Sequence, residues 1–212
     1  MFWKGLLMSL SIYSIENILD LSLCFHELKS FQARQMELFV DAKTIEFFNV
    51  ILVAPILYGI FGSFIVDEDN HTFHWLAFFQ IILIQNLLYF FIHRYMHITN
   101  ASMHKFHHRF QDDIFPSTAN TVSVSEFLLA YLLPLFIGGY FSKTTEITFL
   151  VASYTISLFN ILVHVKKLEH IPYPKYLVSP SKHLNHHQKK TKHYASPILD
   201  VEWFIVDGKM NF

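Results

Sequence analysis

The sequence is short of cysteine, short of charge, and has no charge excess of either sign. Cys24 is its single cysteine, which excludes an internal disulfide and any thiolate metal cage. Charged residues make up 16% of the 212 positions, against about a quarter in a soluble domain whose surface must face water. A net charge of −1 leaves no electrostatic footprint for nucleic acid. No internal repeat, low-complexity tract or flexible linker stands out. The apolar first thirty residues have no small-residue cleavage site followed by a polar start, so they do not read as a secretory leader.

In place of charge there is apolar surface. Apolar residues reach 52%, phenylalanine occurs 23 times, and mean hydropathy is +0.32, so the bilayer is the expected solvent. Four stretches carry the signal: Ile45 to Val66, Thr72 to Ile92, Val124 to Tyr140 and Ile147 to Val165. At ~1.5 Å per residue the first two can cross a ~30 Å hydrocarbon core. The last two sit near the lower length limit, so that pair either crosses or dips into the bilayer. Short links, Asp67 to His71 and Phe141 to Glu146, fold the four into two hairpins. Lys29, Arg34 and Lys43 precede the first hairpin, Arg94, Lys105 and Arg109 lie between the two, and Lys166, Lys167, Lys175, Lys182, Lys189, Lys190 and Lys192 follow the second. The positive-inside rule then places both termini and the central loop in the cytoplasm. Residues 1–43, broken by Glu16 and Asp20, are expected to form an interfacial amphipathic segment. Residues 44–212 are expected to form one membrane-embedded domain.

Histidine is the other abundance, at 14 residues. His93 and His97 form an H-x3-H pair at the cytoplasmic end of the second stretch, one helical turn apart on one face. His104, His107 and His108 form H-x2-HH, and His183, His186 and His187 repeat it beyond the second hairpin. In each repeat the i and i+3 residues are expected to share a face, with the adjacent histidine turned to a neighbouring ion. His164 closes the fourth stretch. All nine fall at one depth on one side of the membrane. Such a cluster is costly unless something satisfies its acceptor nitrogens, and a metal does so. Nine imidazoles exceed the capacity of one ion, so two are implied. His26, His71 and His74 read as structural hydrogen-bonders, and His170 and His193 stay open.

Imidazole suits zinc, copper, iron and nickel alike. Zinc hydrolysis usually adds a carboxylate, and no H-E-x-x-H occurs. Iron with O2 better explains a site held where a lipid chain can reach it.

From Tyr89 to His187 the order H-x3-H, H-x2-HH, hairpin, H-x2-HH resembles the fatty acid hydroxylase and sterol desaturase superfamily. His93-Arg94 after aromatics, and Thr118-Ala119 followed by Glu126, agree with it. Asn86, Asn160 and the run His193-Tyr194-Ala195 depart from its usual residues, which blurs the subfamily and the substrate. The resemblance implies an all-α polytopic membrane protein with about four transmembrane helices and a cytoplasmic histidine-rich cap. It implies that His93, His97, His104, His107, His108, His164, His183, His186 and His187 ligate two iron ions. O2 would be co-substrate, and a separate cytochrome b5 or ferredoxin-type reductase system would supply electrons, since no HPGG-type haem segment is present. The expected reaction is hydroxylation of an unactivated C–H bond in a lipid. Desaturation on the same scaffold and, from another class, metal transport are the alternatives. Glu126, Asn86, Asn160 and Tyr194 are expected beside the ligands. The lysine-rich stretch from Lys182 to Lys192 is expected to meet an acidic donor or anionic headgroups.

Overall fold

The computed structural model describes residues 1–195 and 197–207 and is all-helical among them. Ser196 and residues 208–212, the tail of the expected catalytic domain, lie outside the described residues. Among the described residues, five helices are long and apolar enough to cross a membrane: α1 (Phe2–Leu23), α3 (Met36–Ile65), α4 (Trp75–Ile98), α6 (Val124–Phe141) and α7 (Glu146–Val163). Shorter helices α2 (Phe25–Arg34), α5 (Ser102–Lys105) and α8 (Pro180–Lys189) gather at one end. The outer surface of the bundle is apolar, with Phe64 80% and Leu76 73% exposed, as a lipid-facing wall requires.

The four expected stretches all form helices, but two run further than the apolar runs alone indicate. Nothing breaks the helix before Ile45, so α3 begins at Met36. α4 continues to Ile98 and so carries both His93 and His97. Each hairpin also contains a proline. Pro55 and Pro134 lack an N–H and crowd the carbonyl four residues back. A π-turn precedes each, Phe48–Val53 in α3 and Phe127–Leu132 in α6, widening the helix where its ordinary bond is lost. A Cβ on Gly138 would meet the Ile81 carbonyl at 3.2 Å, so glycine permits the close approach of α6 to α4.

The two hairpin links lock together at the end away from the histidines. Thr145 Oγ1 donates to the Thr72 carbonyl at 2.7 Å, and the Asp67 N–H donates to the Thr144 carbonyl at 2.9 Å. Helix α1 differs from expectation. Rather than lying across the bundle end, it runs antiparallel to α3, with Gly5 against Tyr58 and Phe2 against Gly59. Its amino group lies 3.9 Å from Glu146, and Lys4 pairs with the same carboxylate. Met1 is therefore at the end opposite the histidines, not on their side. The amphipathic character expected of the N-terminal segment belongs to α2, which buries Leu28 and Phe31 and turns Glu27, Lys29 and Arg34 outward. Phe31 packs on Phe110 and Phe115 at ring distances of 6.0 and 5.5 Å, covering the loop that follows the second histidine motif.

Candidate metal centre

The histidine end is assembled by helix termini. After α4, the Asn100 N–H donates to the His97 carbonyl and the Ala101 N–H to the Met96 carbonyl, at 3.2 and 2.9 Å. Asn100 is left-handed at φ 51°. This Schellman arrangement, with Asn at the position that tolerates positive φ, turns the chain back so that His104 in α5, and His107 and His108 in the turn after it, return towards His93 and His97. His164 is the residue that ends α7. Ser179 caps α8 by accepting the Lys182 N–H at 3.2 Å, and α8 then lays His183, His186 and His187 across the same space.

All nine expected histidines meet there, in two groups. One holds His93, His97, His104, His108 and His186, the other His107, His164, His183 and His187; within each, one nitrogen per ring lies within 4.8 Å of all the others. The groups adjoin, with the His108 ring 4.9 Å from the His187 ring and the His104 ring 5.8 Å from the His107 ring. One detail differs from expectation. In both H-x2-HH motifs the i and i+4 residues stay together (His104 with His108, His183 with His187), and the i+3 residue joins the other group. In α8, at 3.6 residues per turn, i+4 lies about 40° from i and i+3 about 60° to the other side; the first motif reaches the same split across the end of α5 and the 3-10 turn His107–Arg109. A doubled histidine therefore straddles two sites.

The ring nitrogens show what the groups can hold. Four rings give Nδ1–H to an oxygen: His93 to the Tyr194 carbonyl at 2.8 Å, His104 to Glu126 Oε1 at 2.6 Å, His164 to the Asn160 carbonyl at 2.7 Å and His186 to the Lys192 carbonyl at 2.9 Å. A neutral imidazole has one N–H, so the Nε2 atoms of these rings carry lone pairs. They face inward: His93 and His104 Nε2 are 2.9 Å apart, and His164 Nε2 is 3.0 Å from His183 Nε2. Lone pairs so close repel unless a cation stands between them. Convergent Nε2 with the outer nitrogen tied to oxygen is the arrangement by which proteins orient metal-binding histidines. Burial, reinforced by neighbouring rings, pushes His104 down to about 2 and His186 to about 3, and burial brings His164 to about 4. Burial first, then the adjacent rings, also holds His107, His108, His183 and His187 well below the ordinary range. The rings are neutral at neutral pH, the form in which imidazole binds metal.

The groups differ in access. His107, His164, His183 and His187 are all buried. An open cleft lined by Met96, His97, Asn100, His104, His108 and Lys190 reaches the five-histidine group. The remaining histidines stay outside both. His193 sits 3.6 Å from Glu202 and exposed His170 3.3 Å from Glu169. His74 bonds Thr72 at 2.8 Å at the far end, and His26 and His71 are exposed.

Of the four residues expected beside the ligands, Glu126 and Tyr194 contact them. The Tyr194 ring also packs 5.1 Å from His97. Asn160 serves through its backbone carbonyl. Asn86 touches no histidine among the described contacts; its Oδ1 accepts the N–H groups of Ile198 and Leu199 at 3.0 and 2.9 Å. The Lys192 carbonyl that holds His186 cannot be read from the sequence, because a backbone acceptor leaves no trace in residue type. Lys182, expected on a docking surface, is turned to Asp200 at 2.5 Å.

The sequence profile described as fatty acid hydroxylase matches residues 78–203, which is more than half the chain and contains all nine histidines. The chain belongs to the fatty acid hydroxylase family. No curated protein and no solved structure matches it. The family match extends beyond the histidine motifs at both ends, taking in most of α4 and the segment from Asp200 to Trp203. As in the family generally, the activity implied is oxidoreduction on a lipid at a multi-pass membrane protein with metal-binding histidines.

Proposed function

We propose that the protein is a membrane di-iron oxygenase that hydroxylates an unactivated C–H bond of a lipid, using O2 and electrons from a separate donor protein. The observation that carries this reading is the pair of adjoining imidazole groups with inward lone pairs and, on four of the nine rings, a tethered outer nitrogen. His93, His97, His104, His108 and His186 would hold one iron, and His107, His164, His183 and His187 the other. Bound there, the two ions would supply the redox chemistry that brings O2 to an inert C–H bond.

The chain's own contribution is placement. Glu126 and three backbone carbonyls hold rings in one tautomer and orientation. The four-histidine group is sealed from water, while the cleft beside His97 gives the other group an approach. Beneath the histidines, a narrow cavity of about 60 Å³ descends inside the bundle from Tyr89 and Asn160 to Tyr58 and Leu135. Its mainly apolar lining, interrupted by Gln85, Asn120 and Asn160, excludes bulk water, and its volume matches a few methylene groups rather than a whole lipid chain. Desaturation on the same scaffold differs only in the fate of the second hydrogen. Metal transport fits less well, because the imidazoles gather at one end of the bundle and not at its midplane.

The histidine end carries Lys105, Arg109, Lys166, Lys167, Lys189, Lys190 and Lys192, so the positive-inside rule assigns it to the cytoplasm. With α1 standing as a fifth crossing, the N-terminus then lies on the other side. The exposed lysines Lys189, Lys190 and Lys192 are the surface offered to an acidic electron donor.

The test is a lipid mass comparison between cells expressing wild type and His107→Ala with a matched reductase, under air. A lipid that gains one oxygen with wild type alone supports hydroxylation. Loss of two hydrogens points to the desaturase, and identical profiles count against both.

A further inference from the structure

Helix α1 lies outside the family match, which begins at residue 78, yet it buries two acids in the bundle. Glu16 and Asp20 are 0% and 2% exposed. Ionisable residues on a spanning helix are costly and face the interior where they have a partner. Spaced i, i+4, these two share one face, and that face meets the segment Ser117–Val122. Asn120 Nδ2 donates to Glu16 Oε1 at 2.7 Å, and the Ser117 N–H donates to Asp20 Oδ1 at 3.3 Å. Lys43 of α3 steadies the acids from behind, 3.5 Å from Asp20, 3.0 Å from Glu46 and 3.0 Å from Asn17 Oδ1.

The segment they hold is wholly buried and largely irregular, so its backbone groups depend on side-chain partners. Asn49 of α3 donates to the carbonyls of Asn120 and Val122 at 3.1 and 2.9 Å. Asn160 of α7 donates to the Ala119 carbonyl at 3.2 Å. From this segment two short paths lead to the histidines. Asn160 carries its carbonyl to His164 Nδ1. Ser123, next in the chain, caps α6 by accepting the Glu126 N–H at 3.2 Å, and Glu126 accepts from His104. One path ends in each histidine group.

We propose that Glu16 and Asp20 are positioning residues for the metal centre, acting through Ser117–Val122 on His104 and His164. The inference rests on the two-metal reading above. It makes α1 a working part of the catalytic unit and not an appended anchor.

Cobalt(II) titration of the purified full-length protein in detergent tests it, because the visible bands of cobalt report ligand geometry directly. Glu16→Ala and Asp20→Ala should weaken cobalt binding several-fold, less than the ~10–100-fold cost of losing a group bonded directly to a ligand, and should shift the bands. Glu16→Gln and Asp20→Asn keep the acceptor oxygen and should restore both affinity and spectrum. Should the alanine variants fail to fold, Asn120→Ala removes the same hydrogen bond with α1 untouched and should reproduce the shift. Folded alanine variants with wild-type bands and affinity would overturn the proposal, as would amide variants no better than alanine. Wild-type protein that binds no cobalt is a separate result, and it defeats the two-metal reading itself.

Discussion

Glu126 Oε1 accepts the His104 Nδ1 proton at 2.6 Å, with both side chains buried. The bond joins the first turn of α6 to the five-histidine group, across 22 residues of sequence. It fixes which His104 nitrogen faces inward, and it is the one carboxylate contact among the four tethers described. Removing it frees the ring to rotate and to take the other tautomer. Glu126→Ala should therefore lower metal affinity at this group by ~10–100-fold. Glu126→Gln keeps an acceptor and should lose less. Metal titration of the two purified variants checks the order, and equal affinities for all three proteins would contradict it.

Asn86 does a different job. Its Oδ1 takes two backbone N–H groups, of buried Ile198 and half-buried Leu199, and so pins the C-terminal segment to α4. Asn86→Leu leaves both donors without a partner, at ~1–3 kcal/mol each. The expected outcome is a clear fall in thermal stability with metal content unchanged. Asn86→Asp retains the acceptor and should fall less. Loss of metal with unaltered stability would show that Asn86 serves the centre instead.

Acid should undo the histidine end. His104, His164 and His186 sit at about 2, 4 and 3 in the folded protein, below the ~6.5 of an unfolded histidine. Between those values the unfolded chain binds more protons than the folded one, so stability falls as pH falls. It is fully present above about 6.5 and declines steadily below it. Metal leaves over the same range, because protons compete for the ligand nitrogens. Denaturant midpoints for metal-free protein at pH 7.5 and pH 5 test the sign, and a higher midpoint at pH 5 would contradict it.

Much of this was legible in the residues, for reasons that can be named. The nine histidines could be picked out because motif spacing and hydropathy together placed them at one end of the apolar stretches. The motif itself implies that His107 parts from His108, and His186 from His187, but spacing alone does not say whether i+3 or i+4 stays with i, and the structure keeps i+4. Glu126 was visible as a residue type in a suggestive place. The carbonyls of Tyr194, Asn160 and Lys192 were not, since every residue has one. α1 misled for a physical reason: Glu16 and Asp20 interrupt its apolar run, and the sequence cannot show that Asn120, Ser117 and Lys43 receive them inside the bundle. The resemblance points to Asn86 as a neighbour of the ligands, yet it faces the C-terminal segment.

The most direct test of the central claim is the metal content of protein purified without oxygen, measured by elemental analysis. Wild type should hold two ions per chain, chiefly iron, and His193→Ala should keep both. His97→Ala, in the five-histidine group, and His164→Ala, in the other, should each lower the count towards one. A wild type with no metal, or one whose count is the same in all four proteins, would contradict the two-site account.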